Sequence, residues 1–292
     1  AMAAHNSGGT VIVQVNQLAR GGSLNPRRVT IPGTLVDAVV VAPGEQQATR
    51  IAYDSYLSGE LKAPEPPPTK LKPIEEIILR KVCDRLRPGD LVILGFGMPS
   101  RLPSLPDVPP VRFTVEHGAI GGLPAGGLQF GGARNAEAVI DTPSMFDLID
   151  GGGCDAACLG FAEVAADGSV NVSRLPSALP GSGGFTNITA STRRLIFCGS
   201  FTAGGLQVDR AGNGVHVTQE GRFKKFVRTP SELTFRAGTR DDQEVSFVTD
   251  RCVIERRGGR LVITEMYPGV DLERDILAQS EYPLEIAPGA RG

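Results

Sequence analysis

Residues 73–86, Pro73-Ile74-Glu75-Glu76-Ile77-Ile78-Leu79-Arg80-Lys81-Val82-Cys83-Asp84-Arg85-Leu86, run through Arg87-Pro88-Gly89-Asp90 into Leu91-Val92-Ile93-Leu94-Gly95-Phe96. In the first part the apolar residues at 74, 77, 78, 82 and 86 share one helical face. Acids come early and bases late, as the helix dipole prefers. Pro88-Gly89 stops the helix. The run from Leu91 is then apolar at every position, the pattern of a strand covered on both sides within a parallel sheet. A helix feeding such a strand predicts an α/β fold.

Working outward, residues 10–15 (Thr-Val-Ile-Val-Gln-Val) and 35–41 (Leu-Val-Asp-Ala-Val-Val-Val) read as strands, rich in β-branched residues. Residues 43–69 lack periodicity and end in Ala63-Pro64-Glu65-Pro66-Pro67-Pro68, a stiff extended linker. A domain boundary is expected there. On the C-terminal side, short helices are expected near Ala136–Asp141 and Ser144–Leu148, and strands at Ala156–Leu159 and Leu195–Cys198. Hairpins are expected at Phe161–Ser173, Leu206–Val217 and Val253–Thr264, with a last helix over about Asp271–Gln279. Parallel and hairpin-linked strands together make a layered, mixed β-sheet flanked by helices.

One carboxylate stands out. In Phe113-Thr114-Val115-Glu116-His117-Gly118-Ala119-Ile120-Gly121-Gly122, an alternating strand runs into a glutamate and then a glycine-rich turn. That sets Glu116 at the carboxyl end of a strand, where open α/β sheets collect their chemistry. The competing reading is a solvated surface charge. Glycine supplies 37 of the 292 residues, well above the usual ~7%. It falls in pairs and triplets after expected strands, which makes these turns candidates for lining a cleft. Gly181-Ser182-Gly183-Gly184-Phe185 reads equally well as an anion-holding nest or as a surface turn. The apolar residues after it argue that it is pinned.

Other chemistries are disfavoured. A net charge of -2 gives no field for nucleic acid or membrane, and the absence of Trp argues against a base-stacking platform. Gly95-Phe96-Gly97-Met98-Pro99 lacks the third glycine of a dinucleotide fingerprint and reads as a tight turn beside a cleft. His117 would point away from Glu116 on a continuing strand. The five cysteines (Cys83, Cys154, Cys158, Cys198, Cys252) form no metal pattern, so no metal is expected; Cys158 and Cys198 read as buried small hydrophobes. That usage fits a reducing cytoplasm. The N-terminus has no signal-peptide pattern, and no apolar run is long enough to span a bilayer, so a soluble protein is expected. Arg222-Phe223-Lys224-Lys225-Phe226-Val227 reads as a solvated edge strand protected by lysines, with contact to a substrate phosphate as the lesser alternative. A carboxylate and a glycine loop that could hold an oxyanion suggest acyl transfer through a glutamyl intermediate.

Thr114-Val115-Glu116-His117-Gly118-Ala119-Ile120-Gly121-Gly122-Leu123-Pro124-Ala125-Gly126-Gly127 resembles the active-site segment of the family I coenzyme A transferases, of the propionate/acetate CoA-transferase type. Similar stretches follow in the same order: Gly151-Gly152-Gly153 with Asp155, Leu159-Gly160, residues 167–173, the Gly181–Phe185 loop, residues 197–205 and Leu261–Glu265. The resemblance implies one Rossmann-like half of that fold. It implies that Glu116 attacks an acyl-CoA, passes through an acyl-glutamyl anhydride and becomes a glutamyl-CoA thioester. Backbone N–H groups of Gly181, Gly183, Gly184 and Phe185 would hold the oxyanion and contribute to CoA binding. The substrates would be a short-chain acyl-CoA and a free carboxylic acid, with no permanently bound cofactor and an oligomeric assembly.

Two departures matter. Thr142-Pro143-Ser144-Met145 replaces a more aromatic stretch and bears on the acyl pocket. Single-chain members are also roughly twice as long, with two similar halves. The expected division is therefore residues 1–45 as the end of an N-terminal half, 46–72 as the Pro-rich linker, and 73–292 as the C-terminal half with the catalytic glutamate. The rest of the first half would come from another chain or a missing segment. A thioester hydrolase-like relative and a non-catalytic subunit of the same fold are the alternatives; hydrolases of this fold lack the glutamate.

Overall fold

The computed structural model describes residues 1–43, 53–64, 70–175, 177–212 and 214–290. They fall into two units, Ala1–Asp54 and Ser55–Gly292. Two stretches of the expected linker, residues 46–52 and 65–69, lie outside the described residues.

In the first unit the two expected strands form, as β1 (Ile12–Val15) and β2 (Ala38–Val41). They pair in parallel, Ile12 opposite Ala38 through Val15 opposite Val41. Every residue of β2 is exposed, with Val39, Val40 and Val41 close to half accessible. β-branched residues favour the strands; among the described residues none buries β2.

The second unit is built on a ten-stranded mixed sheet. Helix α1 (Pro73–Cys83) opens on Pro73, and the Glu75 carboxylate accepts the Lys72 N–H at 2.8 Å. β3 (Leu91–Leu94) follows, then β4 (Arg112–Thr114), β5 (Ala119–Ile120) and β6 (Ala138–Val139). Helix α2 (Thr142–Asp150), β7 (Ala156–Leu159), α3 (Phe185–Ser191), β8 (Arg194–Cys198) and β9 (Glu244–Val248) complete the centre. β10 (Cys252–Arg257), β11 (Arg260–Met266) and β12 (Glu285–Ile286) close one edge. The order across the sheet is β12-β11-β10-β9-β8-β7-β3-β4-β5-β6. The five central strands, β9 to β4, run parallel, and hairpins extend both sides.

The strand period of two sorts side chains to opposite faces. Val92, Leu94, Ala156, Cys158, Ile196 and Cys198 pack on one face against Ile78, Leu79 and Val82 of α1. Ile93, Ala157, Leu159, Leu195 and Phe197 pack on the other against Met145 and Ile149 of α2 and Phe185 and Ile188 of α3. Both faces are covered, which is why β3, β7 and β8 from Leu195 onward read as continuous apolar runs. Each of the sealed α1 side chains contributes roughly 1.5–3 kcal/mol by leaving water.

Two expectations are corrected. Residues 136–141 are not helical: Ala138–Val139 pair with β5, because the β-branched and small residues complete the hairpin edge begun by the Glu116 turn. The last helix is a π-helical turn, Leu272–Ile276, running into a 3-10 turn, Leu277–Gln279. The three hairpins form as expected, turning at Asp167-Gly168, around Gly212 and at Gly258-Gly259.

Candidate active site

The carboxyl ends of the parallel strands set the site. β3 leads into Gly95-Phe96, β4 into Val115-Glu116 and β7 into Gly160-Phe161, and all but Val115 line one cavity of about 580 Å³. That volume suits a small organic ligand.

Glu116 projects from a turn that only glycine can build. Val115 is sealed beneath it, and the Gly118 N–H returns to the Val115 carbonyl at 3.1 Å. Gly118 has φ +105, and a Cβ there would lie 1.9 Å from the Ile140 carbonyl oxygen. Thr114, fully buried one residue before Val115, donates to the Ala119 carbonyl at 2.8 Å. The turn is thus held from inside while the Glu116 side chain stays half-buried at the cavity. Among the described residues Glu116 has no hydrogen bond or ion pair.

The Gly181–Phe185 loop comes to this carboxylate. A Cβ on Gly184 would stand 2.4 Å from Oε2 of Glu116, and one on Gly183 would stand 3.6 Å from Oε1. Bare backbone is therefore what lets the two segments meet. Phe185 is the anchor: buried in the core and packed on Phe197 at 6.0 Å, it pins the loop. Its own N–H is spent on the Ser182 carbonyl at 3.0 Å, and that of Gly181 on Ser173 at 3.3 Å. Among the described residues no acceptor takes the N–H of Gly183 or Gly184. Of the four residues singled out in this loop, two keep a free donor and two shape it.

The cavity walls are largely apolar: Phe96, Phe130, Leu159, Phe161, Leu175 and Ile188. Of these the sequence reading set only Phe96, within the Gly95–Pro99 turn, beside a cleft, and quoted Leu159 without a role. A repeated signal was available, since Leu94-Gly95-Phe96 and Leu159-Gly160-Phe161 each set a glycine and a phenylalanine at a strand end. Phe146 of α2 was also missed; its ring tip would be 3.1 Å from a Cβ on Gly184. His117 is exposed and packs edge-on against Phe130 at 5.7 Å, away from any bond to Glu116.

The stretch Arg222–Val227 needs correction. Phe223–Lys224 is an exposed strand pair with Thr202–Ala203, and Lys224 donates to the Ala278 carbonyl at 2.7 Å. Lys225, Phe226 and Val227 turn inward and are buried. The cysteines behave as small apolar residues: burial pushes Cys154, Cys198 and Cys252 up to about 12 and Cys83 up to about 11. Among the described residues no cluster of His, Cys, Asp or Glu could hold a metal, and no helix is long and apolar enough to cross a membrane.

No protein-family model matches the chain. Individual proteins do. It is 40% identical to a caffeate CoA-transferase of Acetobacterium woodii over 97% of this chain and 56% of that protein. The crystal structure of the acyl-CoA transferase YdiF apoenzyme from Escherichia coli O157:H7 superposes with a TM-score of 0.86 at 33% identity, over 98% of this chain and 55% of that one. YdiF has also been solved as a thioester complex with CoA. An acetate CoA-transferase subunit beta of Escherichia coli is 28% identical over 72% of this chain and 93% of the subunit. The chain spans about half the length of the caffeate CoA-transferase and YdiF relatives it matches. The agreement in sequence along almost the whole chain, and in fold, leaves one conclusion: this chain belongs to the family I coenzyme A transferases.

Proposed function

We propose that the chain is the glutamate-bearing part of an enzyme that moves coenzyme A between a short-chain acyl-CoA and a free carboxylic acid. The observation that carries the reading is the unpaired Glu116 carboxylate set against the bare backbone of Gly183 and Gly184 inside an apolar cavity. One Glu116 oxygen attacks the thioester carbonyl, and the N–H groups of Gly183 and Gly184 take the developing oxyanion. Collapse expels the CoA thiolate and leaves an acyl-glutamyl anhydride. The thiolate attacks the glutamyl carbonyl and expels the acyl carboxylate, leaving a glutamyl-CoA thioester. A second carboxylate enters and the steps run in reverse. Both intermediates hydrolyse easily, so the phenylalanine-lined walls serve by excluding water. These steps use only the chain's own groups and the substrates.

The wider assembly is part of the same proposal. Residues 1–45 act as the end of an N-terminal half, 46–72 as the linker and 73–292 as the C-terminal half, with the rest of the first half supplied by another chain or an upstream segment. Parallel sheets are normally covered on both faces, and β1–β2 is a parallel pair with the valines of β2 exposed. The beta-subunit relative, matched over nearly its whole length, supports a second half that stands as a unit. Five free thiols support a reducing, cytoplasmic setting.

The test is to incubate the chain, with and without the N-terminal part of a relative, with an acyl-CoA and to read the intact mass. A CoA adduct localised to Glu116, trapped by borohydride, is the expected result. Adduct formation by Glu116→Gln would remove Glu116 from the mechanism. Turnover by the isolated chain would sink the need for an upstream half.

A further inference from the structure

Lys225 is out of place as a structural lysine. It is 8% exposed, and among the described residues its ammonium has no hydrogen bond and no ion pair. The Nζ instead sits 3.6 Å from the centroid of the Phe161 ring. Room for it comes from Gly199, at the end of β8: a Cβ there would lie 3.2 Å from Nζ and 3.4 Å from the Phe161 ring. Phe161 also lines the cavity that holds Glu116, and it meets Phe226 and Phe247 edge-on at 6.0 and 5.8 Å. One ring thus has the cation against it and the candidate active site beside it.

We propose that Lys225 is a positioning and specificity residue: its ammonium fixes the Phe161 ring as a wall of the acyl cavity and so sets which carboxylic acids fit. A cation against an aromatic ring away from water is attracted by the ring's electron-rich face, which favours one ring orientation. The cation itself is conditional. Burial pulls Lys225 down to about 7, opposed by the charge of Asp250 and by the Cys198 thiol. Asp250 is itself occupied, accepting the Phe201 N–H at 2.6 Å and pairing with Arg251 at 3.2 Å. The wall is therefore firm below neutrality and looser above it.

This inference rests on the proposed function for its substrate, but its first test does not. In the full chain carrying 4-fluorophenylalanine at position 161 and ε-13C lysine, the fluorine and Lys225 carbon shifts should move together, with a midpoint near pH 7. The fluorine shift should lose its pH dependence in Lys225→Met and hold at its low-pH position in Lys225→Arg, which keeps the cation. A fluorine signal indifferent to pH from 5 to 9 in the parent chain, or unmoved by Lys225→Met, would overturn the proposal. If Lys225→Met does not fold, Gly199→Ala, whose methyl would crowd both ammonium and ring at 3.2 and 3.4 Å, should displace the fluorine signal and weaken its pH dependence; a signal unmoved by it would overturn the proposal. In the assembled enzyme, Lys225→Met should raise KM for the preferred acid roughly tenfold, with kcat within about threefold, and flatten discrimination between acids of different length. Unchanged discrimination would overturn the specificity role. Absence of transfer by the parent enzyme would refute the proposed function while leaving the fluorine experiment standing.

Discussion

The two ends of the parallel strands are made of different chemistry. At the carboxyl ends lie glycines, aromatic rings and the unpaired Glu116 carboxylate, with the paired Asp250 and Arg251 set apart just past β9. At the amino ends the charges are tied to one another. Asp90 pairs with Arg194 at 2.5 Å and accepts the Arg87 N–H at 2.8 Å. Arg240 grips Asp242 and the Ala190 and Ser191 carbonyls at the end of α3, and Asp155 accepts the Leu91 N–H at 2.8 Å. Clefts exist there too, lined by Arg87, Arg194 and Glu244. Charge satisfied by neighbours holds a fold; charge left unsatisfied at a strand end is available for chemistry. That is why one glutamate at the carboxyl ends outweighs many charged residues at the amino ends.

Several substitutions break or sharpen this contrast. Glu116→Gln has the largest expected effect: transfer should fall by roughly 10^4-fold or more, with melting unchanged, since no fold contact is lost. Gly184→Ala should cost on the order of 100-fold, because its methyl would stand 2.4 Å from the Glu116 carboxylate. Arg194→Met probes the other end. It strands a buried Asp90 and should lower stability by about 3 kcal/mol, read by denaturant unfolding, while the Glu116 adduct still forms at the normal rate. If Arg194→Met slowed adduct formation as much as Gly184→Ala, the division between the two ends would fail.

Lys225 offers a smaller, pH-dependent change in stability. Its native pKa of about 7 lies below the unfolded value of about 10.4. Between those values the unfolded chain holds the extra proton, so stability rises with pH there and the cost of burying the ammonium is complete below about 7. Lys225→Met should therefore gain about 1–3 kcal/mol over the parent at pH 6, with the gap closing toward pH 10. The smallest effect is on the cysteines. Native Cys154, Cys158, Cys198 and Cys252, buried as thiols, should resist iodoacetamide at pH 8 until the chain unfolds.

Much of the fold was legible because the central strands are covered on both faces. Leu91–Leu94, Ala156–Leu159 and Leu195–Cys198 announce themselves as unbroken apolar runs, and α1 by its single apolar stripe. Ala138–Val139 was misread because two paired residues at a hairpin edge leave no period to detect. Glu116 was legible from its strand-to-glycine context, whereas its meeting with Gly183 and Gly184 joins segments far apart in sequence. Lys225 was misread for a sharper reason. Alternation alone cannot say which of two adjacent lysines faces inward, and it took Phe226 and Val227 packing in the core to turn the second one under.

The open face of β1–β2 has a practical consequence. A parallel pair with Val39, Val40 and Val41 on display is a template for any extended chain that meets it. Produced on its own, the protein should first reveal itself by clumping, seen in light scattering before any assay of transfer.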